Sequence, residues 1–238
     1  MRFLRGKKSD PEGTFPLSLT GADGESWLEF PGPVVDSIRQ SINRMMRTEP
    51  FPEKLVMTSA VRQEGVTYLS KAIGTVLAND FARKCCVLEL NWWWPADYPQ
   101  SIVGRPGLAE VLEDKATLEE ALIPTAMSNL SLLSAGRLAN KLRPTFAGSE
   151  ALSTLIDSLA RQFDYLILDT PAVTATSDSI LLAGYGTALG LVIRQGATPV
   201  QRVRAALDDL DHLNIIGVIM NQVNVATPGF LLDYIAQE

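Results

Sequence analysis

Two segments of the sequence carry residue types that could bind a nucleotide. The first, residues 59–70, reads SAVRQEGVTYLS and contains Gly65, Val66 and Thr67. A phosphate-binding loop needs small residues so that backbone N–H groups can face phosphate oxygens, a lysine to neutralise them, and a hydroxyl to hold Mg²⁺. Thr67 supplies the hydroxyl, but Val66 stands where the lysine is needed. The segment predicts a phosphate loop without its cation.

The second segment, residues 163–173, reads FDYLILDTPAV, an apolar run that ends in Asp169. An aspartate at the end of a strand facing a phosphate loop can bind Mg²⁺ through water, and the loop after it can sense the terminal phosphate. The two segments support each other. Together they predict a site for ATP or ADP with Mg²⁺, weakened by the missing lysine.

Short apolar runs alternate with helical patterns along the chain, and these elements must position the two segments. Strands are predicted at 55–59, 86–90, 130–133, 165–168, 189–193 and 215–220, and the main helices at 34–47, 67–83, 149–163 and 199–213. Shorter helices are predicted near 108–112 and 118–122. Continuously apolar strands that alternate with helices indicate an α/β fold with a mostly parallel sheet and helices on both faces. Ligands on such sheets bind at the carboxyl ends of the strands.

Composition sets limits on organisation and partners. The chain has 238 residues, 46% of them hydrophobic, with a net charge of −6. The excess of negative charge argues against nucleic acid as a partner, because the long-range field repels it.

Residues 1–32 are rich in proline and polar residues and predict a flexible N-terminal arm, followed by a single domain over 33–238. The sequence holds no apolar run long enough to span a bilayer, which predicts a cytoplasmic protein.

In order and spacing, the segments resemble the bacterial tyrosine kinases of capsule and exopolysaccharide synthesis, the CpsD/CapB type. The resemblance implies a three-layer P-loop NTPase-like fold of the MinD/ParA type. It is carried by TSAVRQEGVTY from Thr58, GLAEVLEDKATLEEAL at 107–122, LSLLSAG at 130–136, DTPAV at 169–173, SDSILLA at 177–183 and IIGVIMNQV at 215–223.

The resemblance assigns candidate roles to individual positions. The nucleotide-binding loop comprises Ala60, Arg62, Gln63, Glu64, Gly65, Val66, Thr67 and Tyr68. The Mg²⁺ ligands are Thr67, Asp169 and Glu89, and the adenine contact is Asn221. Glu89 and Asn91 stand where the family has two aspartates, and Asp36 and Arg39 lie in the helix by which family members form rings.

The departures from the family concentrate where its chemistry takes place. Val66, Glu89 and Asn91 replace the lysine and both aspartates, and an amide such as that of Asn91 cannot act as a base. The family forms rings through an E-x-x-R-x-x-R helix, and this chain has Asp36, Arg39 and Ile42 at the three motif positions. The motif is incomplete because Ile42 replaces its second arginine. The sequence after Asn224 holds a single tyrosine, Tyr234, in place of the family's tyrosine cluster.

The pattern predicts a catalytically degenerate, pseudokinase-like protein that regulates or scaffolds a polysaccharide polymerisation or export system. The partner implied is a membrane-embedded chain-length or co-polymerase protein, or another export component, at the inner face of the membrane, with a homo- or hetero-oligomer as the assembly. The alternative is a divergent but active ATPase or tyrosine kinase in which Lys71 or Arg62 replaces the missing cation.

Three consecutive tryptophans, Trp92, Trp93 and Trp94, follow the predicted second strand. Three indoles in a row cannot all be buried on one side of an extended segment, so at least one is expected to face solvent or a partner. Packing against neighbouring helices is the competing interpretation. If the run is a contact surface, a third hypothesis follows: a scaffold that uses the fold only as a surface and binds no nucleotide.

Overall fold

The computed structural model describes residues 15–222. Its strands are Leu17–Thr20 (β1), Ser26–Phe30 (β2), Lys54–Ser59 (β3), Cys85–Glu89 (β4), Leu122–Pro124 (β5), Leu130–Leu133 (β6), Tyr165–Asp169 (β7), Ala188–Arg194 (β8) and Ile215–Asn221 (β9). Its α-helices are Gly32–Thr48 (α1), Val66–Asp80 (α2), Leu108–Leu112 (α3), Leu118–Ala121 (α4), Arg143–Ala147 (α5), Glu150–Ala160 (α6), Ser179–Ala183 (α7) and Val200–Asp209 (α8).

One sheet of seven strands forms the centre, in the order β5-β6-β4-β7-β3-β8-β9. Every neighbouring pair is parallel except β5 and β6, which run antiparallel at one edge. The predicted α/β class with a mostly parallel sheet is confirmed.

Apart from the edge strand β9, whose Ile216, Val218 and Met220 are exposed, the sheet is covered on both faces, which explains why its strands are continuously apolar. Successive side chains of β3 point to opposite faces, so Val56 joins one hydrophobic cluster while Leu55 and Met57 join the other. Helices α1 and α2 cover the face of Met57, and residues of α3, α6, α7 and α8 cover the face of Val56. This is the three-layer arrangement expected from the sequence.

The N-terminal region departs from the prediction. Strands β1 and β2 form an antiparallel hairpin that packs on α2, with Leu19 and Phe30 almost completely buried. The prediction of a flexible arm is therefore wrong for this hairpin, and the folded domain begins before residue 33. The short strand β5 and the helices α5 and α7 were also not predicted. Residues 1–14 and 223–238, including Tyr234, lie outside the described residues.

Candidate functional site

The two predicted segments meet at the carboxyl edge of the sheet. Strand β7 lies between β3 and β4, so Asp169 is in register with Met57 on one side and Glu89 on the other. The loop that follows β3 leads directly into α2. The fold thus places the phosphate loop, Glu89 and Asp169 side by side, as the motifs predict.

The phosphate loop has a backbone suited to an anion. Gln63 and Gly65 both adopt left-handed backbone conformations, with φ +66° and φ +93°. These two residues make the loop turn tightly before α2. The backbone N–H groups of residues 62–67 donate no hydrogen bond to any described residue. They precede α2, a helix of 15 residues, whose N-terminus favours negative charge. A phosphate group could be held here by backbone donors alone.

The carboxylate of Glu64 fastens this loop to the rest of the domain. It is 2% exposed, and it accepts hydrogen bonds from the backbone N–H of Val61 at 3.0 Å and of Arg194 at 3.2 Å, and from the hydroxyl of Thr198. The side-chain amide of Asn221 donates to the backbone carbonyl of Glu64 at 2.8 Å. The carboxylate of Glu64, predicted as a nucleotide contact, is therefore engaged within the protein.

Val66, where a lysine was expected, is only 8% exposed and packs in the hydrophobic cluster beneath α2. Of the two predicted substitute cations, Arg62 stacks its guanidinium on the exposed Trp94, 3.8 Å from the ring centroid. Lys71 is 7% exposed, and its amine lies 4.4 Å from the centroid of the Tyr98 ring. Burial lowers the pKa of Lys71, and the carboxylates of Glu89, Asp169 and Asp97 oppose that shift.

Glu89 has a structural part in the site. Its carboxylate accepts hydrogen bonds from the backbone N–H of Ala96, the hydroxyl of Tyr98 at 3.1 Å and the backbone N–H of Ala135 at 3.1 Å. Burial raises the pKa of Glu89, while these hydrogen bonds and the charge of Lys71 lower it. With three donors already in place, the carboxylate ties the loop after β4 to the end of β6, and only about one of its four acceptor positions is left for any other partner.

Asn91 is likewise used by the fold. Its side-chain oxygen accepts a hydrogen bond from the backbone N–H of Trp94 at 3.1 Å, which closes the turn of the tryptophan run. A local hydrogen bond from the backbone to an asparagine side chain is a common feature of loops. The residue therefore shapes the loop at the position where a base was expected.

Asp169 is the free carboxylate of the site. The side chain is 1% exposed, and neither oxygen has a hydrogen-bond partner among the described residues. Burial, reinforced by the charge of Glu89, raises the pKa of Asp169 to about 7, against the opposing effects of the Thr67 hydroxyl and of Lys71. A buried carboxylate with two unused oxygens is costly unless a cation or a proton accompanies it.

Asp169 and Thr67 fit a Mg²⁺ ion that is shared with nucleotide phosphates. Mg²⁺ accepts oxygen ligands, keeps several waters, and is commonly held by one or two protein side chains. Residues 15–222 contain no group of three or more His, Cys, Asp or Glu side chains placed to hold a metal by themselves. Within that part of the chain, Mg²⁺ would depend on the phosphates of a bound nucleotide for its remaining ligands.

The tryptophan run is only partly available to a partner. Trp92 is 2% exposed, and its indole N–H donates to the carbonyl of Ala135 at 2.9 Å, so its assignment to a contact surface is wrong. Trp93 is half-buried, with the guanidinium of Arg143 at 5.8 Å from its ring. Trp94 is 37% exposed, in agreement with the expectation that at least one indole reaches solvent.

The candidate oligomer helix uses its charges internally. Arg39 donates to Asp80 at the end of α2 at 2.8 Å, and it also pairs with Asp36 one turn away. The guanidinium thereby joins α1 to α2 within the chain.

A cavity of about 560 Å³ opens beside the phosphate loop, between the hairpin, α2 and residues 95–99. Trp27 and Tyr98 line it together with Thr67 and Lys71. No sequence pattern indicated Trp27 or Tyr98, because the hairpin was not expected and the loop after β4 has no regular pattern.

No protein-family model matches the chain. Its curated relatives include the tyrosine-protein kinase ptk of Acinetobacter johnsonii, 25% identical over 181 residues, which are 74% of this chain and 24% of that protein. The tyrosine-protein kinase wzc of Salmonella typhimurium is 22% identical over 202 residues, covering 82% and 27%. The succinoglycan biosynthesis transport protein ExoP of Rhizobium meliloti is 24% identical over 186 residues, covering 76% and 23%. The chain thus spans about a quarter of the length of these relatives.

Solved structures agree. The kinase domain of VpsO has a TM-score of 0.72 at 25% identity, over 80% of this chain and 94% of that one. MinD from Pyrococcus horikoshii, solved with Mg-ADP, has a TM-score of 0.55 at 18% identity, over 77% and 76%. The resemblance to bacterial tyrosine kinases and the MinD-like fold are both confirmed. Within residues 15–222, no helix has the length and apolar character needed to cross a membrane.

Proposed function

We propose that this chain, a homologue of the bacterial tyrosine-protein kinases, is a catalytically degenerate domain that regulates or scaffolds a polysaccharide polymerisation or export system through protein contacts. The observation that carries the proposal is the use the fold makes of three key positions. Val66 packs in the core, Glu89 is tied by three hydrogen bonds, and Asn91 closes a turn. Each of these side chains serves the structure, and none of them is a cation that could neutralise a phosphate or an unengaged base for a tyrosine hydroxyl.

The chemistry of phosphoryl transfer explains why these replacements matter. The protein contributes mainly by positioning the reactants and neutralising charge in the transition state. A cation that contacts the transferring group in such enzymes is worth about 10³–10⁵-fold in rate. Without the loop lysine, and with an amide at the position of the base, the turnover rate is expected to fall by several orders of magnitude.

Nucleotide binding without turnover is compatible with the same geometry. The free N–H groups of residues 62–67 can hold phosphates, and Asp169 with Thr67 can share Mg²⁺ with them. Asn221, the proposed adenine contact, uses one amide hydrogen for Glu64 and retains a second for a base. Affinity should be weak because the loop itself contributes no cation.

The proposed partner is a membrane-embedded co-polymerase or another export component. The name of the relative ExoP, a succinoglycan biosynthesis transport protein, supports a setting of this kind. Such a partner would bring this domain to the inner face of the cytoplasmic membrane. Trp94, exposed and stacked on Arg62, is the proposed contact residue because exposed aromatic side chains mark interaction sites.

The test is a comparison of ATP turnover and tyrosine phosphorylation in the parent protein and in Val66→Lys/Asn91→Asp, which restores two of the family's three residues and leaves Glu89 in place. We expect no activity above background in the parent and a measurable rise in the double variant. Asp169→Ala serves as the control that abolishes any genuine turnover. Activity in the purified parent that disappears in Asp169→Ala would refute the proposal.

One observation favours the alternative of a divergent ATPase or kinase. The amine of Lys71 is close enough to Asp169 and Glu89 for their charges to affect its pKa, and it lines the cavity beside Thr67. It could replace the loop lysine if a phosphate extended toward it. In that case Lys71→Met would abolish turnover. Arg62→Ala would retain it, because the Arg62 side chain stacks on Trp94 and does not reach the phosphates.

A further inference from the structure

The cavity beside the phosphate loop runs from an exposed mouth to a buried wall. Arg62, Gln63 and Asp97 are exposed at its rim, whereas Leu19 and Leu132 are each 1% exposed on its inner wall. Its volume of about 560 Å³ lies within the range of about 300–1,000 Å³ occupied by small-molecule sites. The cavity can therefore admit one ring-sized group with a substituent.

The amine of Lys71, which lies 4.4 Å from the centroid of the Tyr98 ring, faces this cavity. Lys71 is more than nine-tenths buried, yet its amine makes no hydrogen bond and no ion pair within 4.0 Å with any described residue. The carboxylates of Glu89, Asp169 and Asp97 attract this amine from more than 4.0 Å away, so its hydrogen-bond donors stay unused. A ligand with negative charge would accept those hydrogen bonds and pair with the ammonium group directly.

The other walls are aromatic. Trp27 from the hairpin, Tyr68 from α2 and Tyr98 from the loop after β4 all line the cavity. The indole N–H of Trp27 is buried and has no acceptor among residues 15–222. Aromatic walls favour a planar apolar group, because ring pairs add about 0.5–1.5 kcal/mol beyond the area they bury.

We propose that this cavity binds an aryl phosphate, a group in which an aromatic ring carries a phosphate. The ring would lie among Trp27, Tyr68 and Tyr98, and the phosphate would pair with the amine of Lys71 and with the N–H groups of the neighbouring loop. Neither Glu89 nor Asp169 lines the cavity, and the acidic side chain that does, Asp97, lies at the rim. An entering group would thus pass Arg62 and Asp97 at the rim and then reach the amine of Lys71, with no further carboxylate on the cavity wall.

Two sources can supply this chemistry: a phosphorylated tyrosine of a protein, or a free aryl phosphate. The inference rests on the proposed function in one respect, because a site that does not transfer phosphate is free to retain a phosphorylated group. The domain would then recognise a phosphorylated ring rather than produce one.

The experiment is calorimetric titration of the full chain, without nucleotide, with phenyl phosphate, a short phosphotyrosyl peptide, its unphosphorylated form, a phosphoseryl peptide and inorganic phosphate. We expect both aryl phosphates to bind, and at least about tenfold more tightly than inorganic phosphate or the phosphoseryl peptide. Tighter binding of the peptide than of phenyl phosphate would assign a protein source, and the reverse a small molecule. Equal binding of inorganic phosphate, or binding of the unphosphorylated peptide alone, would overturn the proposal.

Two variants locate the site. Lys71→Met keeps the length of the side chain and is expected to weaken aryl phosphate binding about tenfold or more, since a hydrogen bond to a charged group is lost. Lys115→Met, the same change at an exposed lysine, is the matched control and should leave binding unchanged. Trp27→Phe removes the unpaired indole N–H while keeping a ring, and should weaken binding less. Equal affinities in Lys71→Met and Lys115→Met would exclude this cavity.

The two proposals fail separately. ATP turnover in the parent would refute the degenerate enzyme whatever the titrations show. A lack of aryl phosphate binding in a parent that also lacks turnover would refute the cavity proposal alone.

Discussion

The side-chain amide of Asn221 donates a hydrogen bond to the backbone carbonyl of Glu64, 2.8 Å away, and so joins the end of β9 to the phosphate loop. The same amide lies so close to Gly65 that a Cβ atom there would be 2.2 Å from Nδ2 of Asn221. Gly65 also has φ +93°, which an L side chain rarely adopts. The conformation of the loop and its link to β9 therefore both depend on a glycine at this position.

Gly65→Ala is expected to lower the free energy of unfolding by about 1–3 kcal/mol, because it adds a steric conflict to backbone strain. Urea unfolding measures the loss. Gly196→Ala is the matched control, since its φ is +71° but a Cβ would meet nothing within 4 Å. If the two variants lose equal stability, the contact with Asn221 contributes nothing. Adding Asn221→Ala to Gly65→Ala should recover the steric part only.

Asp169 should make stability depend on pH. The folded protein holds a proton on this carboxyl up to a pKa of about 7, whereas the unfolded chain releases it near the ordinary value of 3.8. Between these two pH values the folded state binds more protons, so the free energy of unfolding falls as pH rises, by up to a few kcal/mol in all. Urea unfolding in a metal chelator from pH 4.5 to 8 checks this.

Asp169→Asn should remove the part of that slope that Asp169 contributes, leaving the part from Glu89, whose pKa burial also raises, and should be more stable than the parent at pH 8 because no charge forms at position 169. Asp208→Asn, at an exposed position, is the control and should retain the parent's slope. A parent profile that is flat over this range, or one that Asp169→Asn does not alter, would contradict the assignment.

The main sheet could be predicted from the sequence because its inner strands are buried on both faces. Runs such as Leu130–Leu133 and Tyr165–Asp169 are continuously apolar, and that signal is local. The hairpin of Leu17–Thr20 and Ser26–Phe30 gives no comparable signal, because its strands have only four and five residues and are stabilised by packing on α2. Nearby prolines also favour an irregular segment.

The site divides in the same way. Thr67 and Asp169 could be found from their motifs, because each follows a recognisable strand. The structural use of Glu89 could not, since one of its donors, Ala135, lies 46 residues away in the chain. The inward turn of the Glu64 carboxylate depends on Thr198, 134 residues away. Hydrogen bonds between distant residues leave no local pattern in the sequence. For that reason the sequence predicts ligand contacts for Glu64 and Glu89, although both carboxylates are engaged within the fold.

Glu89→Gln tests that structural use. A carboxylate accepts from all three of its donors, whereas the glutamine amide would turn an N–H₂ group toward at least one of them. We expect a loss of about 1–3 kcal/mol in metal-free buffer, the typical effect of leaving a buried group unpaired. Glu119→Gln, at an exposed position, should change stability by less than about 0.5 kcal/mol. If the Glu89→Gln variant is as stable as the parent, the three hydrogen bonds contribute nothing measurable to stability, and the structural role of Glu89 is refuted.

Alanine substitutions at Trp92 and Trp94 separate the role of the tryptophan run in packing from its proposed role in partner contact. Trp92→Ala removes a fully buried indole and its hydrogen bond to Ala135, and is expected to cost about 3–5 kcal/mol in urea unfolding. Trp94→Ala removes an exposed ring and its contact with Arg62, which is worth about 0.5–1 kcal/mol. If Trp94 is the contact residue, Trp94→Ala will also abolish capture of the co-polymerase's cytoplasmic segment while the domain remains folded. Undiminished capture by Trp94→Ala would remove Trp94 from the proposed contact surface and leave only the half-buried Trp93 of the run, because Trp92 is buried within the domain.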